Sequence, residues 1–441
     1  MNPSCKHVRG AILIVGMAVL LASPARAAHE SEESIAVNQV LEWNQIFIDT
    51  LIATNTPNSS SQRLGAILHT AIFDAYNGIE RRYTPIFVEG TPPPGASRRA
   101  AVIAAAYTAI AGLFQSLTVR QREALHDTYT ASLAALSDDG GDGGQSRERG
   151  VAWGTAVAQT VLSWRSTDGF SPPPSAFRGG LAVGQWRPTG GSCAAMSAAG
   201  LAFTAPFVVA STTQFDPGPP RTLTSSTYAD DFNIVKRLGR DTFSARSDEQ
   251  TLLAPFWEGN ASVHWNQATN QIARANHLSI SETNRLLAVL NLAMADTAFT
   301  IWSAKWHYGH VSSEVTWRPI TAIPLAETDG NPDTAAEAGW LPLVNTPCHP
   351  EYPAGHPSQN GAAATVLLSH FADSQTFTLT TGPENRTYTS ISQARTDGNN
   401  ARIWGGMHYP STVAVSNAVG EAIANHVNLN AMLRIDGQRQ R

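Results

Sequence analysis

Residues 281–306 read SETNRLLAVLNLAMADTAFTIWSAKW, and this stretch decides the fold. Drawn as a helix, it carries apolar side chains on nearly every face. Such a helix is stable only when other elements wrap it. Working outward, helical periodicity recurs over Val40–Ile52, Ser61–Ile79, Arg99–Leu117, Val119–Leu136 and Arg147–Ser166. It resumes over Tyr228–Leu238, Ser247–Ala275, His356–Phe371 and Ser411–Leu433. Between these two sets, Thr167–Ser226 is rich in proline and glycine and reads as a long irregular excursion. Strand-like alternation is confined to Thr376–Thr380. The pattern predicts an all-α protein of packed antiparallel helices. No linker and no internal repeat divides it, so residues 28–441 read as one helical domain.

The N-terminus has the layout of a secretory signal peptide over residues 1–27. Lys6 and Arg9 precede an apolar run from Ala11 to Leu21, and Ala25-Arg26-Ala27 closes it. The run is too short to span a bilayer, and no other stretch reads as long and apolar enough to do so. The expectation is a secreted or periplasmic protein with no stable membrane anchor. Loss of residues 1–27 removes three basic groups and no acid, taking the net charge from −5 to −8. An acidic surface argues against nucleic acid as a partner. It also makes any local cluster of cations informative, since only Lys236 and Lys305 remain as lysines. Cys193 and Cys348 survive cleavage, and export permits a disulfide between them or two free thiols. A homo-oligomer paired through apolar helix faces is compatible with this composition.

Six of the thirteen histidines lie between residues 305 and 408, among tryptophan, arginine, proline and glycine. Three segments carry chemistry. Lys305 closes the apolar helix, and Trp317-Arg318-Pro319 follows it. In Cys348-His349-Pro350-Glu351-Tyr352-Pro353-Ala354-Gly355-His356, proline and glycine precede a helix, where backbone amides bind anions and a histidine can exchange protons. In Arg402-Ile403-Trp404-Gly405-Gly406-Met407-His408, a glycine break lets arginine and histidine turn toward one point. Together they offer three cations, a backbone donor and two imidazoles, the set a tetrahedral or trigonal-bipyramidal oxyanion requires.

At these residues the sequence resembles the vanadium haloperoxidases and the type 2 phosphatidic-acid-phosphatase-like acid phosphatases. The resemblance rests on Lys305 with Arg318-Pro319, on Pro353-Ala354-Gly355-His356 and on Ala401-Arg402 with Gly406-Met407-His408. The longer strings Trp317–Ile323 and Glu351–His356, and the region from Val40 to Tyr76, resemble the haloperoxidase branch. The resemblance implies helical bundles and vanadate as cofactor, with His408 as the vanadium ligand. It implies that Lys305, Arg318, Ala354, Gly355 and Arg402 surround the oxyanion and that His356 is the acid–base residue. It implies hydrogen peroxide, a halide and an organic acceptor as reaction partners, with a hypohalous-acid equivalent as product. His349, seven residues before His356, occupies a catalytic position that in the family goes with bromide or iodide.

Three departures stand out. Lys305 lies farther from Arg318 than the family pattern has it, which an insertion around His310–Val315 would explain. Ala354 replaces a serine, losing a neutral hydrogen bond of about 1 kcal/mol. Thr412 stands where the phosphatases have an aspartate that orients the histidine nucleophile, which weighs against an exported acid phosphatase. That enzyme and a non-catalytic oxyanion-binding relative remain the alternatives.

Overall fold

A computed structural model describes residues 38–136, 144–310 and 315–435. The signal-peptide expectation for residues 1–27 falls outside the described residues. Thirteen α-helices and one two-stranded hairpin form the described part, in agreement with the all-α expectation. The first five helices are α1 (Gln39–Ala53), α2 (Asn58–Glu80), α3 (Arg98–Leu113), α4 (Val119–Ala134) and α5 (Gln145–Arg165). After the irregular excursion come α6 (Ser226–Leu238), α7 (Asp248–Phe256), α8 (Ala261–Ala275), α9 (Ile280–Gly309) and the short α10 (Pro319–Ala322). The chain ends with α11 (Gly355–Leu368), the hairpin β1 (Phe377–Thr381) and β2 (Glu384–Tyr388), then α12 (Ile391–Trp404) and α13 (Pro410–Asn430).

The apolar helix α9 lies at the centre. Leu286, Leu287, Val289, Leu290, Leu292, Met294, Phe299 and Ile301 are all buried. A Leu→Ala change at such a position costs about 2–5 kcal/mol through lost burial and the cavity left behind. By length and composition α9 could cross a bilayer, which corrects the expectation that no segment after the N-terminus could. Here other helices cover it. Helix α2 packs against α9, with α3 and α5 beside α2, and α11 and α13 beside α9. The close approach of α2 and α9 needs Gly65, where a Cβ would meet the Asn291 side chain at 2.4 Å.

Two local expectations fail. Ser247–Ala275 is not one helix. Pro255 and Gly259 end the first segment, and the Asn260 side chain caps the second by accepting from Ser262 and Val263 N–H. Helix α12 was not anticipated, because its polar sequence has little apolar periodicity.

A repeat is also present, hidden from a linear reading. Trp43-Asn44-Gln45 on α1 recurs as Trp265-Asn266-Gln267 on α8, and Asp74 on α2 as Asp296 on α9, at equal separations. The equivalence holds in three dimensions. Asn44 bonds His69 at 2.9 Å, and Asn266 bonds the equivalent Asn291 at 3.1 Å. Asn55 and His277 take the same left-handed turn, with φ of 47° and 51°. Asp74 accepts the amides of Ile86, Phe87 and Val88, as Asp296 accepts those of Phe207, Val208 and Val209. Two helical hairpins, α1–α2 and α8–α9, thus share one plan. Beside the polar pins, apolar positions also recur, among them Leu64 and Leu286, Ala66 and Ala288, Leu68 and Leu290, and Ala71 and Ala293, while most other positions differ.

The repeat yields a prediction. Burial pushes His69 down to about 3 from its ordinary 6.5. Between those values the unfolded chain binds a proton that the folded chain does not, so His69 lowers stability as pH falls. Asn291 fills the same place without titrating. His69→Asn should therefore fold, and should flatten the acid limb of the stability curve by about 1.4 kcal/mol per pH unit between about pH 4 and 6. Urea denaturation across that range checks this; an unchanged slope would clear His69 of the effect.

Candidate oxyanion site

In the first hairpin α2 stops at Glu80, the position equivalent to Trp302, where Arg81 turns left-handed. In the second, α9 continues through Trp302 to Gly309, and only this extension carries Lys305. The Lys305 ammonium, fully buried, donates to the carbonyls of Pro350 (2.6 Å) and Glu351 (3.3 Å). Arg318, at the start of α10, donates through Nε to the neighbouring carbonyl of His349 at 3.0 Å. The two cations thus hold three successive carbonyls of one loop, and their long spacing does not keep them apart. Residues 311–314, where the proposed insertion falls, lie outside the described residues.

Arg318 does more. Its Nη1 donates to the Met407 carbonyl (2.8 Å) and points at His408 Nε2 (3.0 Å), while Nη2 donates to His349 Nδ1 (2.9 Å). A guanidinium can only donate, so both ring atoms accept. His408 must then carry its proton on Nδ1; His349 Nδ1 also lies 3.2 Å from the Pro350 carbonyl, but the closer Arg318 Nη2 makes it an acceptor and puts its proton on Nε2. His408 Nδ1 lies 2.9 Å from Glu351 Oε1. The same oxygen accepts the Tyr409 amide at 3.0 Å, and Oε2 accepts the Thr412 hydroxyl at 3.0 Å. His408 reaches this place because Gly406, with φ of 77°, reverses the chain after α12; a Cβ there would stand 2.5 Å from the Gly239 carbonyl. The amides of Met407 and His408 both return to the Arg402 carbonyl.

These elements enclose a cavity of about 280 Å³ lined by Trp302, His349, Gly355, His356, Arg402 and His408, with Glu258 and Ser197 at its margin. Gly355 opens α11, so its amide has no acceptor within the helix. The Ala354 amide is different: it donates to Ser416 Oγ at 2.7 Å, so Ala354 offers the cavity no free donor. His356 Nε2 bonds the Gly259 carbonyl at 3.0 Å, leaving Nδ1 as the acceptor of a neutral ring. Arg402 lies on the wall with its Nε buried and unpartnered among the described residues. A larger groove of about 650 Å³ between α1 and α8 contains Glu42, Arg274 and His277 but no buried cation cluster.

The excursion read as irregular braces this site. Cys193 and Cys348 are bonded, settling the open choice about them. Next to the bridge, Ser197 N–H donates to the Cys348 carbonyl (2.8 Å), and Trp302 Nε1 donates to the Ser197 carbonyl (3.2 Å). Farther along, the amides of Thr316 and Trp317 both reach the Gly184 carbonyl, fixing the approach to Arg318.

The electrostatics are those of a site awaiting an anion. Burial, then Arg318, drives Lys305 well below its ordinary value. Burial brings Arg318 down to about 9 and Arg402 to about 10. His349, His356 and His408 are all held well below 6.5, first by burial and then by Lys305, Arg402 and Arg318 respectively. Burial raises Glu351 to about 7, opposed by Arg318. Glu258 is raised by burial and pulled back by Arg402. Three buried cations therefore stand near one buried carboxylate, Glu351, and one exposed one, Glu258, and a bound oxyanion would reverse the penalties. Among the described residues, no group of three or more His, Cys, Asp or Glu side chains could hold a metal cation.

The sequence reading named every cation and imidazole on this wall. It missed Glu351, which it treated as a flank, and Glu258, Trp302 and Ser197, which only the folded chain brings near. The different roles of the arginines can be measured. Arg318→Ala strands two carbonyls and two ring nitrogens and should cost about 3–5 kcal/mol of stability. Arg402→Ala removes a poorly paired buried charge, so thermal stability without added anion should hold or rise, while phosphate binding weakens by about 2–3 kcal/mol. Equal losses of stability in the two variants would contradict this division.

Comparison with known proteins places this geometry. Residues 285–437 match the family model described as the VCPO second helical-bundle domain. No curated protein matches the sequence. The chain is similar in structure to a bacterial vanadium-dependent iodoperoxidase, with TM-score 0.74, 22% identity, and 92% of this chain and 97% of that one covered. It is also similar to a bacterial vanadium-dependent chloroperoxidase in its apo form, with TM-score 0.63, 17% identity, and 84% and 92% covered. For the holo form of such a chloroperoxidase the values are 0.62, 18%, 84% and 91%. At these identities the likeness to the crystal structures is one of fold. The matched VCPO-type bundle is the part of the chain that contains Lys305, Gly355, Arg402 and His408, and the chain as a whole shares its fold with these vanadium-dependent haloperoxidase structures.

Proposed function

We propose that this chain is an exported vanadate-dependent haloperoxidase that uses hydrogen peroxide to oxidise bromide or iodide. One observation carries the reading: Arg402, His356 and His408 line one cavity, the buried cations Lys305 and Arg318 stand behind its wall, and the His408 ring presents an unprotonated Nε2. The fit to vanadate is chemical. An oxyanion of vanadium needs positive charge around its oxygens and one neutral nitrogen ligand. His408 Nε2 would be that ligand, while Lys305, Arg318, Arg402 and the Gly355 amide would hold the oxygens. The orphaned Nε of Arg402 is a donor with such a use. Bound there, vanadate supplies a Lewis acid that activates peroxide toward halide without changing its own oxidation state.

The protein's own groups then act in simple ways. His356 is tethered through Nε2 and can take a proton at Nδ1 from a peroxide entering the cavity. His349 is fixed by Arg318, with an Nε2–H to offer, and Trp302 stands 5.3 Å from its ring. That neighbourhood of imidazole and indole suits a soft, polarisable halide. The similar iodoperoxidase fold supports the same preference. Export is supported by the disulfide, which persists in oxidising compartments, and by the leader-like N-terminus.

A second reading has a specific observation in its favour. The missing aspartate at Thr412 weighed against a phosphatase, yet Glu351 supplies a carboxylate to His408 Nδ1. A histidine so supported can act as a nucleophile toward phosphate esters.

One assay separates the two. The mature protein is given peroxide, bromide and a chromogenic acceptor, before and after addition of orthovanadate. Bromination should appear only with vanadate and should be suppressed by phosphate. Hydrolysis of an aryl phosphate without any bromination would establish the phosphatase reading instead.

A further inference from the structure

We infer that Glu351 is the residue that positions His408, taking over the role left open by Thr412. This rests on the reading of His408 as the vanadate ligand. The side chain of Glu351 is fully buried and entirely spoken for. Oε1 receives the His408 Nδ1 proton and the Tyr409 amide, and Oε2 receives the Thr412 hydroxyl. Its own amide donates to the Thr316 carbonyl at 2.9 Å, and Lys305 holds its carbonyl. The carboxylate is therefore fixed by the same loop that the site cations fix. Thr412 is not a vacancy in this arrangement. With its hydroxyl donated, it props the carboxylate that it does not itself provide.

Two consequences follow for His408. Arg318 can only donate to Nε2, so the ring carries its proton on Nδ1, facing Glu351, and keeps Nε2 unprotonated. The negative charge behind the ring also makes Nε2 a stronger electron donor. Partners of this kind typically change metal affinity by about 10- to 100-fold. Glu351 makes no contact with the cavity and is absent from its lining, so it acts through the imidazole alone.

Vanadate and phosphate, which share shape and charge, distinguish this role from a structural one. Only vanadate gains a bond to nitrogen on binding. In Glu351→Gln the amide preserves the shape and can still accept from Nδ1, but the charge is gone. Orthovanadate affinity, read by calorimetry, should fall at least about 10-fold. Phosphate affinity should hold or rise, since a buried negative charge has left an anion site. Parallel losses for both anions would reduce Glu351 to a packing residue and overturn the inference, as would unchanged binding of both. A parent protein with no preference for vanadate over phosphate would sink the vanadate reading itself, and this inference with it. Should the variant fail to fold, ¹⁵N chemical shifts of the His408 ring in the parent protein decide the matter. A proton on Nδ1 and a bare Nε2 are expected; a proton on Nε2 would overturn the assignment.

Discussion

The organising constraint of this protein is the burial of three cations, Lys305, Arg318 and Arg402, in a chain with only three lysines. None of the three forms an ion pair with a carboxylate among the described residues. Buried charge without a partner is costly, and native proteins tolerate it only where dipoles or ligands compensate. Here compensation comes from carbonyls. Lys305 and Arg318 together hold those of His349, Pro350, Glu351 and Met407. The loop before α11 takes its shape from these contacts, and that shape places Gly355 and His356 at the start of a helix. Compensation by carbonyl dipoles is partial, and the remainder is a standing attraction for an oxyanion.

The rest of the fold can be understood as support for that arrangement. The two-hairpin plan gives a rigid seam between α2 and α9. One copy then diverges: α9 runs past Trp302, the point where α2 turns away, and the extra turns carry Lys305. The excursion between the copies, tied by Cys193–Cys348, closes over the extension from outside. Lys305 thus comes from the part of the second copy that has no counterpart in the first.

Much of this was legible in the sequence. The all-round apolar helix implied a wrapped core, and the three short segments around Lys305, His356 and His408 declared their cations and imidazoles by residue type. What was not legible depended on distant pairings. Glu351 bonds a residue 57 positions away, and nothing local marks it as different from its neighbours. The repeat was missed because its matching residues are scattered and lie far apart in the chain, where a search for local apolar periodicity does not compare them. The break at Trp257–Asn260 was missed because the apolar pattern continues on both sides, although Gly259 and a capping asparagine do signal it. Helix α12 was missed for the reverse reason: its polar surface has no stripe to detect, and it is held by packing on α11 and α7.

The central claim is that the buried cations and His408 form one receptor for a vanadium oxyanion. The most direct test is a crystal structure of the protein grown with orthovanadate. The account predicts vanadium bonded to His408 Nε2, with its oxygens met by Lys305, Arg318, Arg402 and the Gly355 amide. Vanadate bound elsewhere, or held by the arginines while His408 stays hydrogen-bonded to Arg318 alone, would contradict it.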